Sequence, residues 1–180
     1  MNTRLLTLTL GLLTSVQVFA SDDAQLLQKL RQAKFTISDA ITYAEKTSGP
    51  ATSAKFEMNE NELVFSVYTA PQGLNISAEE NALTELAGSA TVLPISSKAE
   101  VFTDKEHIAR ASTHLTLMQL SPLNLKQVIQ KALSVQSGLV FSIKNPLVRN
   151  HRAVADVSIL KTDGKIATVT IDLLNGNLIK

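Results

Sequence analysis

The stretches FTISDAITYA, residues 35–44, and LNLKQVIQKA, residues 123–132, align without a gap at an offset of 88, Thr36 falling on Asn124. In the first, Phe35 precedes Thr36, whose side chain can accept the orphan amides of a first helical turn, and Asp39 stands three residues on to reach back. Ile37, Ala40, Ile41 and Ala44 then follow the helical period. In the second, Leu123, Asn124 and Gln127 take the same places, and Leu125, Val128, Ile129 and Ala132 repeat the apolar stripe. Each stretch predicts a helix whose start is fixed locally, at about 1 kcal/mol per cap. Each also predicts an apolar stripe that something else must cover.

The segment after each helix is suited to cover it. Ala54, Phe56 and Met58 alternate with Ser53, Lys55 and Glu57; Asn59, Glu60 and Asn61 turn the chain; Leu63, Phe65 and Val67 resume the alternation. That period predicts a hairpin with one covered face. Leu74, Ile76 and Ala78, entered through Pro71 and Gly73, read as a third strand. After the second helix, Leu139, Phe141 and Ile143, then Ala155, Val157 and Ile159, then Ala167, Val169, Ile171 and Leu173 read as three strands, with Asp163 and Gly164 as a tight turn. Asn175, Gly176, Asn177 and Leu178 parallel Asn81, Ala82, Leu83 and Thr84. A further helix precedes each copy: Ala24 to Gln32, and residues 104–120, the latter opened by Thr103 with Glu106 in capping-box spacing and closed before Pro122. The expected fold is α+β, with two tandem repeats, each of two helices packed on a three- to four-stranded antiparallel sheet. The repeats are expected at 21–88 and 103–180, joined by residues 89–102, which carry Pro94 and three serines.

The run Phe35 to Ile41 followed by an aliphatic hairpin resembles the PepSY domain, a module found in peptidase propeptides and exported bacterial proteins. The second copy resembles it too, ending in Asp172, Leu173, Leu174, Asn175 and Gly176, where the family often has Asp-x-x-x-Gly after its last strand. The first copy departs from that ending, with Ala78 and Ala82 at the two places, and Val128 replaces the usual Ala of the second helix. The resemblance implies protein contact outside the cytoplasm, and the inhibition or chaperoning of a peptidase. A distant likeness of architecture to the beta-lactamase inhibitor proteins, which bind an enzyme with the concave faces of two sheets, is an analogy of fold.

The first twenty residues read as an address. Arg4 supplies a positive charge, Leu5 to Val16 an apolar run, and Val18, Phe19 and Ala20 place small or aliphatic residues at the two positions that signal peptidase reads, with cleavage between Ala20 and Ser21. The expected product is periplasmic or secreted, with no membrane attachment after cleavage. Of the 17 basic and 16 acidic residues only Arg4 lies in the leader, so 17 − 1 = 16 balance the acids in the remainder. No basic stripe exists to release counterions from phosphates, which excludes a nucleic-acid partner. Aromatics make up 4% and Trp is absent, against carbohydrate or base-stacking platforms. With no Cys, disulfides, thiolate metal sites and a lipidated N-terminal Cys are excluded.

Reactive constellations are not found. His107 and His114 lie seven apart on a predicted helix, whereas metal ligands on one helix sit three or four apart, so both are read as surface or boundary residues and His151 as a solvated loop residue. Asp22 with Asp23, and Glu79 with Glu80, are adjacent pairs that diverge and are read as caps or turns. There is no Gly-x-Ser-x-Gly elbow, Ser137 and Gly138 ending a helix, and the seven glycines are dispersed. The sequon Asn75, Ile76, Ser77 is read as strand sequence. Ala109, Leu115, Leu117, Met118 and Leu120 form a stripe that is read as core of the second repeat. These readings give no catalytic, cofactor or metal residues, and a non-enzymatic protein acting on an unidentified exported partner such as a peptidase. The alternative is a periplasmic carrier of a small molecule, haem or metal.

Overall fold

In the computed structural model, which describes residues 17–149 and 151–179, both decisive stretches open helices at their expected caps. Thr36 starts α2 (Ile37–Ser48) and Asn124 starts α4 (Leu125–Leu133), each with a reciprocal capping box to Asp39 or Gln127. α1 (Gln17–Leu30) and α3 (Lys105–Gln119) precede them. Residues 1–16 of the expected leader lie outside the described residues, while Ala20 and Ser21 fall within α1. The start of α3 corrects the sequence reading. Its cap is Asp104, which accepts the His107 N–H at 3.0 Å, and not Thr103. An aspartate one residue on meets the same orphan amides with a full charge at the positive helix end.

The strands are β1 (Ala51–Asn59), β2 (Glu62–Thr69), β3 (Thr84–Ser89), β4 (Lys98–Val101), β5 (Leu139–Arg149), β6 (Arg152–Leu160), β7 (Ile166–Asp172) and β8 (Leu178–Ile179). They form one antiparallel sheet in the order β4-β3-β2-β1-β5-β6-β7-β8. The molecule is therefore α+β, with four helices and a single large sheet among the described residues. The strands do not close into separate sheets, because β1 pairs with β5, setting Ala54 against Ile143 and Lys55 against Ser142. The first hairpin has the register of its alternation, with Ala54 opposite Val67, Phe56 opposite Phe65 and Met58 opposite Leu63.

α2 and α4 lie side by side on one face. Ile37, Ile41, Leu125 and Ile129 meet Phe56, Phe65, Val67, Ile143, Val157 and Ile171 in the main core. Phe65, fully buried, takes the edges of Phe35 at 5.6 Å and Tyr43 at 6.2 Å between centroids. Each such side chain contributes roughly 1.5–3 kcal/mol by leaving water. Between the two helices, Lys126 pairs with Glu45 at 2.7 Å.

Two further readings are corrected. Leu74, Ile76 and Ala78 form no strand; the third strand is β3, ten residues later at Thr84. Residues 70–83 are tied instead by side chains, with Asn81 donating to the Gly73 carbonyl at 2.8 Å and accepting from the Gln72 N–H at 3.2 Å, and Gln72 accepting from the Ala82 N–H at 2.7 Å. Such local bonds compete with a ladder, and Leu74 and Ala78 satisfy their apolar character by packing in a loop. The stretch 89–102, expected as a connection, holds strand β4.

The Asp172 to Gly176 ending has a physical explanation here. The Asp172 carboxylate accepts the Leu174 N–H at 2.9 Å, and the Gly176 N–H donates to the Asp172 carbonyl at 2.7 Å, so the turn folds onto its own aspartate. Gly176 has φ +71, and a Cβ there would stand 2.6 Å from Lys131 Cε and 3.1 Å from Leu123 Cδ1.

Candidate binding face of the sheet

Because side chains alternate along a strand, the residues between the core positions share the opposite face. Val67 enters the main core, while its neighbour Tyr68 points the other way into a second, smaller cluster with Ala70, Leu83, Ala111 and Leu115. α3 thus covers one end of that face. Its stripe is divided, contrary to the expectation of a core within the second half alone. Ala111 and Leu115 pack on strand and loop residues of the first half, Leu117 and Met118 enter the main core, and Leu120 is exposed.

A run of aromatic contacts, one edge-on and two stacked, anchors α3. Tyr68 meets Phe102 at 4.7 Å and His114 at 5.8 Å, and Phe102 stacks on His107 at 5.4 Å. His114 is buried, at 2% exposure, which corrects the expectation of a surface or boundary position. Its Nδ1 has no hydrogen-bond partner, and burial, with the Arg110 cation adding to it, pushes its pKa down from 6.5 to about 4. The ring is a neutral aromatic wall. Burial and then the Glu85 charge raise the Tyr68 phenol above its usual range, against the pull of Arg110, so it stays protonated. His107 is bonded through Nδ1 to Asp104 at 2.7 Å, and the His107 N–H holds the Asp104 carboxyl below its ordinary value. His151 is exposed in the β5–β6 turn with φ 62.

Beyond α3 the face is open and polar. Its floor is made of hydroxyls, because Ser53, Ser66, Ser142 and Ser158 are all buried there between longer neighbours. Ser66 donates to Glu85. Asp156 accepts from Thr170 at 2.6 Å and pairs with Arg149 at 2.6 Å. A depression of about 200 Å³ lies at the middle, where β2, β1 and β5 meet, lined by Ser53, Lys55, Ser66, Tyr68, Arg110, Ser142 and Lys144 together with Ala54 and Ile143. The Ser142 Oγ is buried and has no partner. A wider depression of about 470 Å³ lies toward β4, where Glu62, Glu85 and Glu100 outnumber Lys98. The open face is therefore polarised, basic at the centre and acidic toward the β4 edge.

None of these residues was singled out from the sequence. Ser53, Lys55 and Glu57 were legible only as outward positions of a strand, and nothing local marks Ser142 or Arg110. The adjacent acids seen in sequence are not brought together with them: Asp22 and Asp23 lie in α1, and Glu79 and Glu80 in the loop before β3. The sequon at Asn75 lies in that same loop, not in a strand. Among the described residues no group of three or more His, Asp or Glu is placed to hold a metal ion, and no helix is long and apolar enough to cross a membrane.

No family model matches the chain, and no curated protein matches it in sequence. Among solved structures it is similar to "a putative lipoprotein (CD1622) from Clostridium difficile 630", at 19% identity, over 82% of this chain and 92% of that one, with a TM-score of 0.40. A likeness at that level carries no argument about fold or function.

Proposed function

We propose that this chain is an exported, non-catalytic protein of two PepSY-like copies that acts by protein–protein contact, with the open face of its sheet as the contact surface and a peptidase as the candidate partner. The single observation that carries the reading is the asymmetry of the sheet. Helices α2 and α4 bury one face, whereas the other presents hydroxyls and paired charges around a central depression, flanked by α3. A polar face of this kind serves as a binding surface because it stays soluble when unoccupied, and its charges set partner choice more than affinity. The two-copy reading draws support from the strand order, which is palindromic about the β1–β5 pair, and from the paired helices before each set of four strands. Export draws support from the leader-like first twenty residues.

The test is site-specific photo-crosslinking in the native host. A crosslinking residue placed at exposed Thr168, on the open side of β7, should capture a discrete partner, and one at exposed Gln130, on the helix side, should not. If the partner is a peptidase, adding the purified chain should lower its turnover. Equal capture from both faces, or capture from the helix side alone, would remove the reading. N-terminal sequencing of the exported protein should begin at Ser21.

A further inference from the structure

We propose that the serine-floored depression between β2, β1 and β5 is a binding site for a carboxylate, presented by a partner polypeptide as a C-terminus or an acidic side chain. This deepens the contact reading above and rests on it. Three features point to the ligand.

The charge is predominantly basic, with the Glu85 carboxylate, which accepts from the lining Ser66, at its edge. The lining residues include the cations Lys55, Arg110 and Lys144 and no carboxylate. Two of the three already hold an acid outside the depression, Lys55 pairing with Glu57 and Arg110 with Glu106 at 2.8 Å. Those acids are on the surface, Glu106 being 79% exposed, and an exposed pair of this kind is held only weakly because solvent screens it. An incoming carboxylate competes with weak partners, and Lys144 has no ion pair among the described residues.

The second feature is an unused donor. Ser142 is 3% exposed and its Oγ lacks any partner while lining the depression. A buried hydroxyl without a hydrogen bond has lost its water and gained nothing in exchange, which is unfavourable. Such a group in a native structure calls for an explanation, and an acceptor arriving with the partner supplies one. Tyr68 also lines the space, and its phenol, kept protonated by burial, is a second neutral donor beside it. Hydrogen bonds of this kind to an ionised acceptor are roughly twice as strong as neutral ones.

The third is size. About 200 Å³ is somewhat more than the ~150 Å³ cavity that takes one benzene, and below the roughly 300–1,000 Å³ of sites for whole small molecules. The space suits the end of one residue, with the rest of the partner lying across the open face.

The experiment is an NMR titration of uniformly labelled chain beginning at Ser21 with four probes: an acetylated tripeptide with a free C-terminal carboxylate, its C-terminal amide, glutarate and inorganic phosphate. The acid peptide should give saturable shifts at the amides of Ser53, Lys55, Ser142 and Lys144, in the millimolar range expected of one anchoring group. The amide should bind about tenfold or more weakly. Ser142→Ala should weaken the acid peptide by a similar factor without lowering the urea midpoint, since the hydroxyl it removes is unpartnered, and Arg110→Gln should weaken it too. Equal binding of acid and amide, or an unchanged affinity in Ser142→Ala, would overturn the inference. Phosphate or glutarate binding more tightly than the acid peptide would overturn the polypeptide source and reassign the site to a free anion. A failed titration alongside successful open-face crosslinking removes only the carboxylate, and the converse removes only the partner.

Discussion

Lowering the pH from 7 to 5 should destabilise this protein through one residue, His114. The imidazole is buried against Tyr68, its Nδ1 has no partner, and Arg110 adds a like charge to any proton it gains. Folding takes its pKa from 6.5 to about 4. A base whose folded value is depressed binds protons more readily when unfolded, so stability is intact above the unfolded value and falls as the pH drops below it, until the folded value is passed. Each pH unit in that window removes up to about 1.4 kcal/mol, giving a loss of about 2 kcal/mol at pH 5 and about 3 kcal/mol by pH 4. The carboxyls held low, Asp104 and Asp163, have ordinary values of 3.8 and contribute stability that is lost only on further acidification, below that window. Urea unfolding at pH 7 and pH 5, compared with His114→Met, isolates the effect. Methionine fills a similar space and leaves no polar atom unpaired. The wild type should lose about 2 kcal/mol and the variant well under half of that. Equal losses in the two proteins would refute the assignment.

The caps, the core and the closing turn offer further tests. Asn124→Ala removes the acceptor for the Gln127 N–H at 2.9 Å and should lower unfolding free energy by about 1 kcal/mol in urea titration. Phe65→Ala, at a fully buried ring touching Phe35 and Tyr43, should cost about 3–5 kcal/mol, a large share of the stability of a chain this size, and be visible as a lowered thermal midpoint. Gly176→Ala places a side chain at φ +71 against Lys131 and Leu123, and should cost about 1–2 kcal/mol by the same assay, with Gly73→Ala as a control for left-handed strain alone because open space surrounds that position.

How much of the fold was legible differs from element to element. The helix starts at Thr36 and Asn124 could be read because a capping box is complete within four residues. The Phe56–Phe65 pairing was legible because a short turn leaves one register in which both apolar sets face the same way. The cap of α3 was misplaced by one residue because Thr103 and Asp104 are both competent acceptors, and only the backbone at Asp104 chooses between them. The alternation at Leu74, Ile76 and Ala78 misled because period two records which residues need cover, not whether a neighbouring strand exists to pair with them.

The sequence by itself determined the local half of the structure: four helices, their apolar faces and the hairpins that complement them, since each rests on residues a few positions apart. The joining of β1 to β5, the burial of His114 and the gathering of Lys55, Arg110 and Ser142 around one depression were decided by tertiary structure alone. Lys55 and Ser142 are partners across 142 − 55 = 87 residues of chain, and nothing short-ranged records that pairing. It arises because α2 and α4, once capped, pack side by side, and their apolar stripes are then covered by a single sheet.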